Sequence, residues 1–198
     1  MKIIYSGGYD KLLHDSESKN VIHRHRDEVK RFISEKKKVA FVTNAKPAGY
    51  YDDKLITAIG VGFEIIDDNS KNVNWESYDM LIILGGEQVK LKTALDNLKF
   101  DLSKLKSDTL LIGDSAGAMV LGAWFYDADF VDNSDFKIEF HQGINPNSKN
   151  IFLVHSNNPR YVSPALIKLV EEFAAKKDLA MISLPENQEY ILDVNGLT

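Results

Sequence analysis

An apolar run, Thr109-Leu110-Leu111-Ile112, passes directly into Gly113-Asp114-Ser115-Ala116-Gly117 and on into Ala118-Met119-Val120-Leu121. The first run suits a short buried strand and the last the start of a buried helix, so the serine falls on the corner between them. Gly-x-Ser-x-Gly at such a corner is the nucleophile-elbow pattern. Small neighbours let the chain turn sharply, lift the serine side chain into a pocket and leave backbone N–H groups at the helix start for an anionic intermediate. The same string also arises by chance, and a serine between glycines often only caps a helix. The role of Ser115 therefore depends on what the rest of the chain supplies.

Upstream of the elbow, strand and helix patterns alternate. Lys2-Ile3-Ile4-Tyr5 reads as a first strand closed by a turn at Ser6-Gly7-Gly8. Residues 21–35 carry Val21, Ile22, Val29, Phe32 and Ile33 at helical spacing, and Lys38-Val39-Ala40-Phe41-Val42-Thr43 is a second strand. A polar loop at 44–49 leads to a helix opened by Asp52 or Asp53 and bearing Leu55, Ile56 and Ile59. Phe63-Glu64-Ile65-Ile66 and Met80-Leu81-Ile82-Ile83-Leu84 are further strands, the latter continuously apolar, as strands covered on both faces are. Gly85-Gly86-Glu87-Gln88 and a helix over 89–98 follow. The spacing predicts α/β architecture: a doubly wound, mostly parallel sheet with helices on both faces, in one domain over 1–198.

Ligands of such sheets bind outside the carboxyl ends of the strands, so the loops after Tyr5, Thr43, Leu84 and Ile112 share one rim. Beside the elbow, a flexible backbone at Gly85-Gly86 can add a second N–H to that of Ala116 around an oxyanion. Glycine pairs also merely turn chains. Past the elbow helix, residues 124–140 mix aromatics with Asp127, Asp129, Asp132 and Asp135, a pattern of loops and short antiparallel strands at a pocket mouth. A strand at Ile151-Phe152-Leu153-Val154, an amphipathic helix at 164–177 and two strands around Pro185-Glu186-Asn187 complete the chain.

Composition removes several function classes. With 198 residues, 44% hydrophobic and 27% charged, the chain suits an ordinary globular domain. A net charge of −5 offers no general attraction to nucleic acid, and Lys36-Lys37-Lys38 and Lys176-Lys177 sit where helix C-termini are expected. No apolar stretch approaches bilayer length and Met1 to Gly7 is too short for a signal-peptide core, so a cytoplasmic location away from membranes is expected. Cysteine is absent, which excludes disulfides, cysteine-bound zinc and a thiol nucleophile. The acidic residues of 124–140 lack calcium-loop spacing, and neither metal nor cofactor is expected.

A serine hydroxyl needs a base to take its proton as it attacks. Of five histidines, His14, His23 and His25 lie among charges near the first helix and are expected at the surface, while His141 falls in a polar turn. His155, at the end of an apolar strand, would face the same rim as Ser115. The orienting carboxylate could be Glu186, at a turn, or Glu189 or Asp193, on the last strand; spacing does not choose among them.

The serine in Gly113-Asp114-Ser115-Ala116-Gly117-Ala118, the strand-end Val154-His155 after an Asn-Pro stretch and Leu184-Pro185-Glu186 before a final hairpin resemble the aspartyl dipeptidase (peptidase E) family, with cyanophycinases as relatives. The resemblance spans most of the chain. It implies a serine peptidase on a fold similar to class I glutamine amidotransferases, flavodoxin-like in the broad sense. Ser115 would then be nucleophile, His155 general base and Glu186 its acid, with Gly86 and Ala116 forming the oxyanion hole. It further implies a small peptide substrate, possible preference for N-terminal aspartate, and a monomer or homodimer. The chain departs from the family at Glu87, where Asn or Asp is usual after the glycines, and at Asp114, where an aromatic or small residue is usual. Both Asp114, beside the nucleophile, and Arg160, just past His155, are candidates for contact with substrate, the latter through a carboxylate. Two rivals stand beside this reading: an esterase or amidase, which predicts the order serine, acid, histidine, and a silent binding domain on the same fold.

Overall fold

The computed structural model describes residues 1–10, 20–129 and 137–193. Its elements are β1 (Lys2–Ser6), α1 (Val21–Arg24), α2 (Arg26–Ser34), β2 (Val39–Val42), α3 (Asp52–Ile59), β3 (Glu64–Ile66), β4 (Met80–Ile83), α4 (Gln88–Asn97), β5 (Leu110–Asp114) and α5 (Ala116–Val120). After the elbow come β6 (Trp124–Asp129), β7 (Lys137–Gln142), β8 (Asn150–Val154), α6 (Pro164–Lys176), β9 (Ala180–Leu184) and β10 (Glu189–Asp193). The main sheet runs β10-β1-β5-β4-β2-β3, parallel throughout except for β10, which pairs antiparallel with β1.

Alternating side chains of these strands enter two separate cores. Ile4, Phe41, Ile82 and Ile112 pack with Val21, Val29, Phe32, Leu55 and Ile59 of α1, α2 and α3. Ile3, Ala40, Leu81, Ile83 and Leu111 turn the other way, onto Leu91 and Leu95 of α4, Ala118 and Met119 of α5, and Phe125, Phe152 and Leu166 beyond. Both faces are dry, which is why the central strands are apolar without alternation. The expected α/β architecture is therefore present. Within it, β2 to β5 repeat the flavodoxin-like order, and the winding reverses between β2 and β4, so Asn44 and Gly85 flank the crevice where such sheets bind ligands.

Two expectations about elements change. Residues 21–35 form two helices, interrupted at His25, whose ring is drawn to Glu189 of β10. The last two strands do not form a hairpin: β9 joins a second sheet, ordered β7-β6-β8-β9, while β10 returns to the edge of the first. Within 124–140, β6 and β7 are the expected antiparallel strands, and Asp132 and Asp135 lie outside the described residues. The second sheet packs against α5 and carries α6. It matters here because His155 directly follows β8 and Glu186 lies two residues past the end of β9.

Candidate active site

The elbow forms where the small residues permit it. Ser115 has φ 51° and ψ −112°, a conformation that costs a non-glycine residue about 1–3 kcal/mol and persists only when its surroundings hold it. The Ser115 N–H donates to the carbonyl of Ser6 at 3.0 Å, and its own carbonyl accepts from Met119, starting α5. As first residue of that helix, Ala116 has an N–H with no acceptor inside it. The Gly85-Gly86 backbone lies alongside: a Cβ on Gly85 would sit 3.5 Å from Ser115 Oγ, and one on Gly86 (φ 146°) would sit 2.3 Å from the Ala45 carbonyl oxygen. Only glycine fits that second position.

His155 also has a positive φ, of 53°. Its N–H donates to the Gly7 carbonyl at 2.9 Å, which ties the end of β8 to the end of β1. The ring lies with Nε2 2.9 Å from Ser115 Oγ and Nδ1 2.7 Å from Glu186 Oε1. A carboxylate only accepts, so Nδ1 carries the hydrogen and Nε2 presents its lone pair to the serine hydroxyl. The Glu186 side chain is fully shielded from solvent. Its N–H donates to Asn157 Oδ1 at 2.8 Å, and Asn158 Nδ2 donates to its Oε1 at 2.7 Å. Tyr161 stacks on the imidazole with centroids 4.5 Å apart.

A second polar network lies on the other side of the serine. Asp114 Oδ1 accepts from Ser6 Oγ at 2.6 Å, and Ser6 Oγ accepts from Arg24 Nη2 at 2.6 Å, so the hydroxyl relays a guanidinium charge to the carboxylate. Burial raises the pKa of Asp114 above the ordinary carboxylate range, opposed by Ser6, Arg24 and His155. Arg24 Nε also lies 3.3 Å from Glu189 Oε1, which His25 Nε2 meets at 2.9 Å. Burial works against the Glu189 charge, but His25 and Arg24 prevail and hold its pKa below the usual value.

A family model for peptidase family S51 matches residues 12–193. The chain belongs to peptidase family S51. This family includes peptidase E and cyanophycinase, and its members are serine-type peptidases. A search of curated proteins returns no significant match.

For this S51 chain, the structure brings Ser115, His155 and Glu186 into one hydrogen-bonded line, with Ala116 next to the serine at the start of α5; Gly85 lies against Ser115, and Gly86, one residue on, lies against Ala45. Asp114 faces Ser6 rather than the open side. Arg160 is half exposed and donates through Nη1 to Asp10 Oδ2 at 3.1 Å. Glu189 and Asp193 are on β10, and Glu189 serves His25 instead of His155. His25 is therefore buried, not a surface residue, and His141 lies within β7, stacked on Phe125. His14 falls outside the described residues. Among the described residues, no group of three or more His, Cys, Asp or Glu is placed to hold a metal, and no helix is long and apolar enough to cross a membrane.

Sequence reasoning passed over several residues of this S51 site. Gly7-Gly8 read as a plain turn, yet a Cβ on Gly8 would lie 2.4 Å from His155 Nε2 and 3.0 Å from Ser115 Cβ. Asn157 and Asn158, in an Asn-Asn-Pro string that begins two residues after His155, were not singled out. Ser6 and Arg24 gave no local signal, because their partners are 108 and 18 positions away.

Proposed function

We propose that Ser115, His155 and Glu186 are the catalytic residues of this S51 peptidase and that its substrates are short peptides, with dipeptides bearing N-terminal aspartate the first to test. The observation that carries this reading is the continuous line from Ser115 Oγ through the imidazole to a buried carboxylate, at 2.9 and 2.7 Å. His155 Nε2 takes the hydroxyl proton as Oγ attacks the scissile carbonyl, and Glu186 stabilises the imidazolium that forms. Charge developing on the carbonyl oxygen meets the N–H groups of Gly86 and Ala116. The C–N bond then breaks, the leaving amine takes the proton from Nε2, and a water activated by the same nitrogen hydrolyses the acyl-enzyme. The outer side of the half-exposed Arg160 guanidinium is the candidate contact for a substrate carboxylate.

The chain order serine, histidine, acid favours this reading over an α/β-hydrolase esterase, whose acid precedes its histidine. The test is hydrolysis of a panel of dipeptides and aryl esters, with and without chelator, by the wild-type chain and by Ser115→Ala. Peptide cleavage that resists chelator and disappears in the variant is expected. Turnover of esters alone, or of neither class by folded protein, overturns the proposal.

A further inference from the structure

Glu186 Oε1 accepts two hydrogen bonds, one from His155 Nδ1 and one from Asn158 Nδ2, both at 2.7 Å. The same Asn158 nitrogen donates to Asp10 Oδ2 at 3.1 Å. One amide thus bridges two carboxylates, and all three residues are buried: Asn158 is 1% exposed, Glu186 4% and Asp10 6%. A buried carboxylate without a donor is costly, and two neighbouring carboxylates discourage each other's ionisation. Among the described residues, Arg160 is the cation of the cluster, and it is placed on Asp10 rather than on Glu186. This spacing has a chemical consequence. A guanidinium directly on Glu186 would oppose the imidazolium that must form beside it, whereas a neutral amide fixes the carboxylate oxygen and leaves its charge facing His155. The backbone supports the same arrangement, since Asn158 N–H donates to the His155 carbonyl at 2.8 Å, so base and amide share one turn.

We infer that Asn158 is a positioning residue for the Glu186–His155 pair, with Asp10 and Arg160 setting the charge behind it. The inference rests on the catalytic reading of Ser115, His155 and Glu186. Among the described residues, the charged or titratable groups facing the pair include Asp10, Arg160 and Tyr161 on one side and Asp114 across His155.

The experiment measures the rate at which a fluorophosphonate labels Ser115 as a function of pH, in the full chain and in two variants. Asn158→Leu removes both donors at similar volume. An N–H given to a carboxylate favours its ionised form, so without it the pair holds a proton to higher pH. The labelling rate is expected to fall about tenfold at neutral pH and the acidic limb to move up by about one pH unit. Asp10→Asn removes a negative charge behind the amide and leaves Arg160 uncompensated, so its limb is expected to move down. Opposite displacements are the signature of the proposed role. Labelling slowed in both variants with the limb unmoved indicates a scaffold role alone and overturns the inference, as does unchanged labelling. Should Asn158→Leu not fold, the displacement in Asp10→Asn decides the question. Wild-type chain that is folded and unlabelled overturns the catalytic reading itself, and this inference with it.

Discussion

Gly8 has no side chain, and the site depends on that. Its φ of 90° and the 2.4 Å from its missing Cβ to His155 Nε2 leave room for hydrogen alone. In Gly8→Ala the imidazole must move, and a displacement near 1 Å at the reacting atoms costs about a hundredfold. Labelling of Ser115 by a fluorophosphonate is expected to fall by that order while the far-UV circular dichroism stays native. Asp114 acts through charge. Its raised pKa means that it contributes stability that is fully present below the ordinary carboxylate range, near about pH 4, and lost as pH rises through the folded value. Asp114→Asn retains an acceptor for Ser6 and removes the buried charge. Its Tm is expected to exceed that of wild type at neutral pH, with the difference closing as pH falls towards 4. Such residues show why part of the site escapes sequence reading. The elbow is local and was legible, because Gly113, Ser115 and Gly117 act on their own neighbours. Gly8, Asn158 and Arg24 have meaning only once partners distant in the chain arrive.

Elements were legible where burial is uniform and less so where a side chain overrides periodicity. The central strands were readable because both faces are covered, and Asp52 and Asp53 in the first turn of α3 complement its dipole as expected. The interruption at His25 was not, because helical spacing continues through it and only Glu189, on the opposite end of the chain, distinguishes it. The destination of β10 was equally hidden: two strands around a Pro-containing turn suggest a hairpin, and only the docking of β9 beside β8 separates them. Glu189 fastens β10 to the helices through His25 and Arg24, so Glu189→Gln is expected to destabilise the fold by about 1–3 kcal/mol at neutral pH. Because its pKa is lowered, that stability is present above the ordinary carboxylate range and lost as pH falls through the folded value. Urea unfolding at neutral and acidic pH checks both statements, and the gap between variant and wild type is expected to narrow in acid.

At the scale of the whole molecule, Ser115 belongs to one sheet and His155 and Glu186 to the other. The two are joined by backbone, with Gly7 accepting from His155 past the end of β8, and Gly8 accepting from Asn187 in the turn that follows β9. A single core runs between them, from Ile3 and Leu111 to Phe152, Leu166 and Val170. Unfolding is therefore expected as one transition, with loss of fluorophosphonate labelling and loss of circular dichroism at the same urea midpoint. Val170→Ala, at a fully buried position of α6, is expected to lower both midpoints together, through a loss of about 0.5–3 kcal/mol. Separate midpoints would mean that the second sheet opens alone. This division also orders events during synthesis. A growing chain exposes Ser115 first, His155 after 40 further residues and Glu186 after 31 more. Until β9 has been made and docked, Glu186 cannot reach the imidazole, so the proposed nucleophile of a partly synthesised chain has no oriented base.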